Sequence, residues 1–140
     1  MSGKYIWVQP SPGSALLPIS GDISTNVGIF VSAILTHPEV SLPSRYVTVK
    51  TETLSFEEIL KVWSKVTGKE AEYVEITFKA FTRLWGPYGE EMGMQYKFGA
   101  EFGDWDALQP DMVKMEELGI KKSELKGLEE TLEMLKPILT

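Results

Sequence analysis

The chain is 140 residues long, the size of one ordinary domain, with no cysteine and a single histidine, His37. That composition excludes a disulfide framework, a thiolate zinc site, a cysteine nucleophile and a two-histidine metal helix, so no metal is expected. Fourteen basic against twenty acidic side chains give a net charge of −6, which repels phosphate backbones and argues against nucleic-acid binding.

Tyr5-Ile6-Trp7-Val8 is a short β-prone run. It is too brief for the apolar region of a signal peptide, and no stretch approaches the ~18 apolar residues of a membrane span. A reducing, cytoplasmic setting away from membranes is the expectation. The stretch from Gln9 to Ser20 carries Pro10, Pro12, Gly13 and Pro18 and is expected to be irregular. Asp22 or Ser24 then caps a helix with Val27, Phe30, Val31, Ile34 and Leu35 at helical spacing. It ends near His37, because Pro38 disfavours helical backbone at the residue before it. Arg45 to Lys50 is strand-like. Ser55-x-x-Glu58 is a capping box that opens a helix with Phe56, Ile59, Leu60, Trp63 and Val66 on one face, closed by Gly68. Ala71 to Ile76 alternates as a strand. Strand, helix and strand in this order predict a βαβ unit with parallel strands. Beyond Thr77 the chain is mostly helical. One helix runs from Phe78 to Trp85, Gly86-Pro87 breaks it, and a second runs from Tyr88 to about Phe102. A loop with Asp104, Trp105 and Asp106 follows, then a short helix from Asp111 to Leu118 and a last one from Ser123 toward Pro137. Residues 1–140 read as a single, helix-rich domain of mixed α/β class.

Few motifs carry chemistry. The twelve glycines never form GxGxxG, and Gly86-Pro87-Tyr88-Gly89 has no strand before it, so no cofactor is expected. Gly89-x-x-x-Gly93 and Gly99-x-x-x-Gly103 fit close helix packing. Tyr46-x-x-x-Lys50 has the spacing of a dehydrogenase Tyr/Lys pair, but on a strand those side chains stand about 13 Å apart. His37 is either a cation favoured by its helix terminus or a general acid or base. The segment from Trp85 to Phe98 gathers aromatics, methionines and two carboxylates on one helix. In apolar surroundings Glu91 would hold its proton and act as an acid, with Tyr88 and Tyr96 orienting the substrate. The competing interpretation is a packing helix with Glu90 and Glu91 in water. Asp104 is the other candidate acid. Trp7, Trp85 and Trp105 would be pocket walls, and Met92, Met94 and Phe98 adaptable lining.

Val8 to Gly21, "GDIS", "THPEVSLPSRYVTV", "SFEEILKVWSKVTGKEAEYVEIT" and "FTRLWGPYGEEMGMQYKFG" together resemble the fungal NmrA-like proteins of the atypical short-chain dehydrogenase superfamily. The resemblance covers nearly the whole chain but only the C-terminal half of that family, which shapes the substrate pocket. The half that binds the nicotinamide nucleotide is missing. The resemblance therefore implies a cofactor-independent enzyme of fungal secondary metabolism, such as an isomerase or cyclase opening an epoxide on the way to an alkaloid. The alternatives are a regulatory module that binds a small molecule or a protein without turnover, and a piece of a longer reductase. Apolar surface bared by the missing half, at Trp7, Val8 and the first helix, implies a homodimer.

Overall fold

The computed structural model describes residues 3–103 and 105–139, without the side chains of Trp105 and Asp106. The fold is mixed α/β and rich in helix. Its contacts cluster into two units: Met1–Leu17, Leu54–Asp104 and Lys136–Thr140 form the first, and Pro18–Thr53 with Trp105–Leu135 the second.

In the first unit, strand β1 (Tyr5–Gln9) pairs in parallel with a strand at Ala71–Glu75, with Tyr5 beside Ala71 and Gln9 beside Glu75. Helix Phe56–Thr67 immediately precedes that second strand. Its capping box forms as expected: Glu58 Oε2 accepts from Ser55 N at 2.8 Å, and Ser55 Oγ accepts from Glu58 N at 3.2 Å. Gly68 ends it at φ 71, where any side chain would be strained. Parallel strands with an intervening helix are thus present, but the first strand of the unit is β1 and not Arg45–Lys50. That segment makes one isolated bridge, Val47 to Val113. Alternation marks a stretch able to be a strand; it does not choose its partner.

The remaining elements in chain order are β2 (Leu16–Ile19), α1 (Ile23–Thr36), α2 (Pro38–Ser41), β3 (Glu52–Ser55), then α3 and β4 just described, α4 (Phe78–Glu101), α5 (Trp105–Leu108) and α6 (Leu128–Leu139). The stretch expected to be irregular contains β2, which pairs with β3. Pro18 is tolerated there because a two-stranded ribbon leaves one edge without hydrogen bonds. Helix α4 starts at Thr77, whose hydroxyl accepts from Ala80 N at 3.2 Å, and kinks at Gly86 (φ 61, ψ −143), just before Pro87. Gly89 and Gly93 are buried beyond the kink. A β-carbon on Gly89 would lie 2.9 Å from that of Trp85, and one on Gly93 would lie 2.8 Å from the Phe78 ring. The glycine spacing therefore serves close packing across the kink.

The second unit is built on α1. Phe30 packs with Val113, Leu118, Ile120 and Leu125, and Ile29, Ile34, Val47, Val49 and Met115 close round them. Asn26 is fully buried beside this core. Its Nδ2 donates to Ser20 O at 2.7 Å and Lys126 O at 2.8 Å, and its Oδ1 accepts from Lys126 N at 3.0 Å. No helix forms over Asp111–Leu118, because Val113 is extended for its bridge to Val47 and the following residues make turns. Ser123 does not open the last helix but sits in a 3-10 turn, Lys122–Glu124. Helix α6 begins five residues later, at Leu128, where Glu52 Oε1 accepts from the Leu128 amide at 2.7 Å.

The Asp22 carboxylate caps α1. It accepts from Ser24 Oγ and Thr25 Oγ1, each at 2.6 Å, and from Ser24 N at 3.1 Å, with Lys126 Nζ at 3.5 Å. The Ser24 hydroxyl first, then that of Thr25, hold its pKa down at about 2. Because the folded value lies below the unfolded one, the cap stabilises the fold above about pH 4, and this contribution disappears as pH falls toward 2. Urea unfolding followed across pH 2–4 should show a falling midpoint, and a flatter profile in Asp22→Asn.

Candidate functional site

The parallel register puts Tyr5 and Trp7 on the same face of the sheet as Ala71 and Tyr73. Helix α3 lies over this face and presents Phe56, Ile59, Leu60 and Trp63, one stripe at helical spacing. The Tyr5 and Trp63 rings meet edge to face at 5.3 Å. Trp7 is held edge-on by Phe56 at 5.4 Å and by Tyr73 at 5.9 Å. Between strands and helix a cleft of about 340 Å³ opens, lined by Tyr5, Ile6, Trp7, Ile59, Leu60, Trp63 and Ala71. Among the described residues no charged side chain lines it. Its size and apolar, aromatic walls are those of small-molecule sites.

A second, polar cleft of about 620 Å³ adjoins the first, sharing Leu60 and Ala71, and carries Lys4, Glu57, Lys61, Glu70, Glu72 and Tyr73. The Tyr73 hydroxyl donates to Ser11 O at 2.7 Å, and burial pushes its pKa up to about 12. That phenol is committed to the loop after β1. Lys69 Nζ stands 5.0 Å from the Tyr5 ring centroid and donates to Leu139 O at 2.7 Å, so it braces the outer side of Tyr5.

Of the residues singled out from the sequence, Trp7 lines the apolar cleft. Tyr96 and Trp85 belong to the aromatic network behind it. Tyr96 packs on Phe56 at 5.9 Å and on Phe81 at 6.2 Å, and Trp85 lies on Phe81 at 4.5 Å. Met92 is half-buried in α4. Glu91, Tyr88, Met94 and Phe98 are exposed on α4, with Phe98 resting on Phe102 at 4.7 Å. His37 is exposed in the second unit, as the C-cap of α1, with Nδ1 3.4 Å from Glu39 Oε1. Asp104 and the Trp105 side chain lie outside the described residues. Trp7 and Val8 are half-buried in the first unit instead of forming a bare patch. Tyr5, Ile59, Leu60 and Trp63 were not anticipated as site residues. The stripe formed by the last three on α3 is visible in the sequence, where it reads simply as a core face.

The model of the NmrA-like family matches residues 1–132, and the chain belongs to that family. No curated protein matches the chain. The nicotinamide dinucleotide associated with the family through the resemblance finds no cradle among the described residues. β1 runs into Pro10-Ser11-Pro12-Gly13, not into a helix. A β-carbon on Gly13 would meet Glu57 Oε1 at 2.6 Å, so a carboxylate fills the space beside that glycine. The first turn of α1 is capped by the Asp22 carboxylate, which carries the same sign as a phosphate. These residues do not fit the dinucleotide.

Proposed function

We propose that the chain is an NmrA-like binding module that holds a flat, apolar small molecule in the cleft between β1, β4 and α3 without converting it. The carrying observation is the wall itself: Tyr5, Trp7 and Trp63 line an apolar space into which, among the described residues, no acid or base faces. Aromatic rings offer area for stacking and little for proton transfer. In this proposal the chain corresponds to the substrate-holding half of the family and works in the cytoplasm as a homodimer. Titration with the neutral fluorophore N-phenyl-1-naphthylamine tests it. Trp63→Ala should weaken binding at least about tenfold, the equivalent of ~1.4 kcal/mol, while Glu91→Gln leaves it unchanged. Equal affinity of a folded Trp63→Ala variant would overturn the proposal.

A catalytic alternative draws on the adjoining polar cleft, which Glu57, Glu70 and Glu72 line together with Tyr73. A cofactor-independent isomerase or cyclase opening an epoxide would take its acid there, in place of the exposed Glu91 or of Asp104. Consumption of an epoxide-bearing substrate without added nucleotide, lost in Glu57→Gln, would favour this alternative over simple binding.

A further inference from the structure

Helix α1 contains no charged residue over its 14 positions, Ile23–Thr36. Its inner face carries the buried Asn26 and Phe30. Its outer side carries a second apolar row, beside the exposed Ser24, Ser32 and Thr36: Ile23 is 66% exposed, Val27 41%, Val31 48% and Leu35 76%. These four recur every fourth residue and form one stripe. An uncharged helix with one apolar row buried and a second exposed is built to be covered on both. We propose that the outer face of α1 is covered by α1 of a second copy, the two helices antiparallel about a two-fold axis.

Three observations select this occupant. Each chain carries a net charge of −6, so two copies approach most easily where neither presents charge, and α1 is such a surface. A two-fold contact also sets residues near their own twins, where like charges would repel, and here there are none. The stripe is symmetric about its centre. In the antiparallel arrangement Ile23 meets the partner's Leu35 and Val27 meets the partner's Val31, apolar against apolar over about 20 Å of helix. Finally, Gly28 lies exposed on the adjoining row, level with that centre, and a β-carbon placed on it would have nothing within 4 Å. Within one chain nothing requires a glycine there, although it weakens the helix by about 1 kcal/mol relative to alanine. A second helix crossing close at Gly28 supplies the reason.

One helix pair falls short of the roughly 800 Å² per partner of a standard interface, so the dimer should be weak, with a dissociation constant on the order of 10 μM. The proposal is independent of what the cleft in the first unit binds. Sedimentation equilibrium from about 1 to about 200 μM should resolve monomer and dimer in the wild type. Val31→Lys, a change at an exposed position, should remain monomeric throughout. Gly28→Ala should raise the melting temperature of the dilute monomer and yet weaken dimerisation at least about tenfold, opposite signs that a purely structural glycine would not give. A wild type that is monomeric over the whole range, or variants that dimerise as tightly as the wild type, would overturn the proposal.

Discussion

Asn26→Ala should destabilise the second unit by about 3–5 kcal/mol, because it orphans two backbone groups and takes one of two donors from a third, where water cannot replace the lost side chain. The Ser20 carbonyl loses its donor and the Lys126 amide its acceptor, while the Lys126 carbonyl loses the nearer of its two donors. Each unsatisfied buried group costs about 1–3 kcal/mol, and the small alanine leaves a void as well. The same carbonyl of Lys126 also accepts from Asp22 N at 3.3 Å, so one residue gathers both the cap and the first turn of α1. Gly21 sits at φ 63 directly against it, where a β-carbon would run into the carbonyl oxygen. Urea unfolding by circular dichroism, with amide exchange along α1, measures the effect. A loss below about 1 kcal/mol would mean that the three bonds do not hold the unit together.

Phe56→Ala should have a comparable effect in the first unit, about 3–5 kcal/mol, as expected for a buried aromatic truncated to alanine. Phe56 is buried, and its ring touches those of Trp7, Tyr73 and Tyr96 at 5.4, 5.8 and 5.9 Å. It is the shared member through which the cleft wall meets the aromatics of α4. The variant should therefore lose ligand binding along with stability. Phe56→Leu, which conserves more of the volume, should lose clearly less of both. Equal stability of Phe56→Ala and the wild type would show that the network is not cooperative.

Local signals in the sequence were the ones that translated into structure. Asp22, the Ser55/Glu58 box, Gly68 and the Gly86-Pro87 break each act on backbone groups within a turn of themselves, and α1, α3 and α4 begin, end or kink there. Long-range pairing did not translate. Val47 and Val113 are far apart in the chain, and their bridge removes both an expected strand and an expected helix. The partner of β4 lies more than sixty residues upstream in β1, with every register pair at the same separation. Because the cleft depends on that pairing, the stripe from Phe56 to Trp63 was readable but its exposed side was not. For α4 a signal was available. Gly89 and Gly93 mark the inward face of the helix, and Glu91, two residues from each, falls on the opposite side. A small-residue pair thus tells which way a helix faces, and it points Glu91 to solvent.

The most direct test of the account is a two-dimensional amide NMR titration with N-phenyl-1-naphthylamine. Binding in the β1/α3 cleft should move the indole signals of Trp7 and Trp63 and the backbone amides of Tyr5–Trp7 and Ile59–Trp63, and leave Glu90–Phe98 in place. Shifts centred on Glu91 and its neighbours in α4, with the Trp63 indole unmoved, would contradict it.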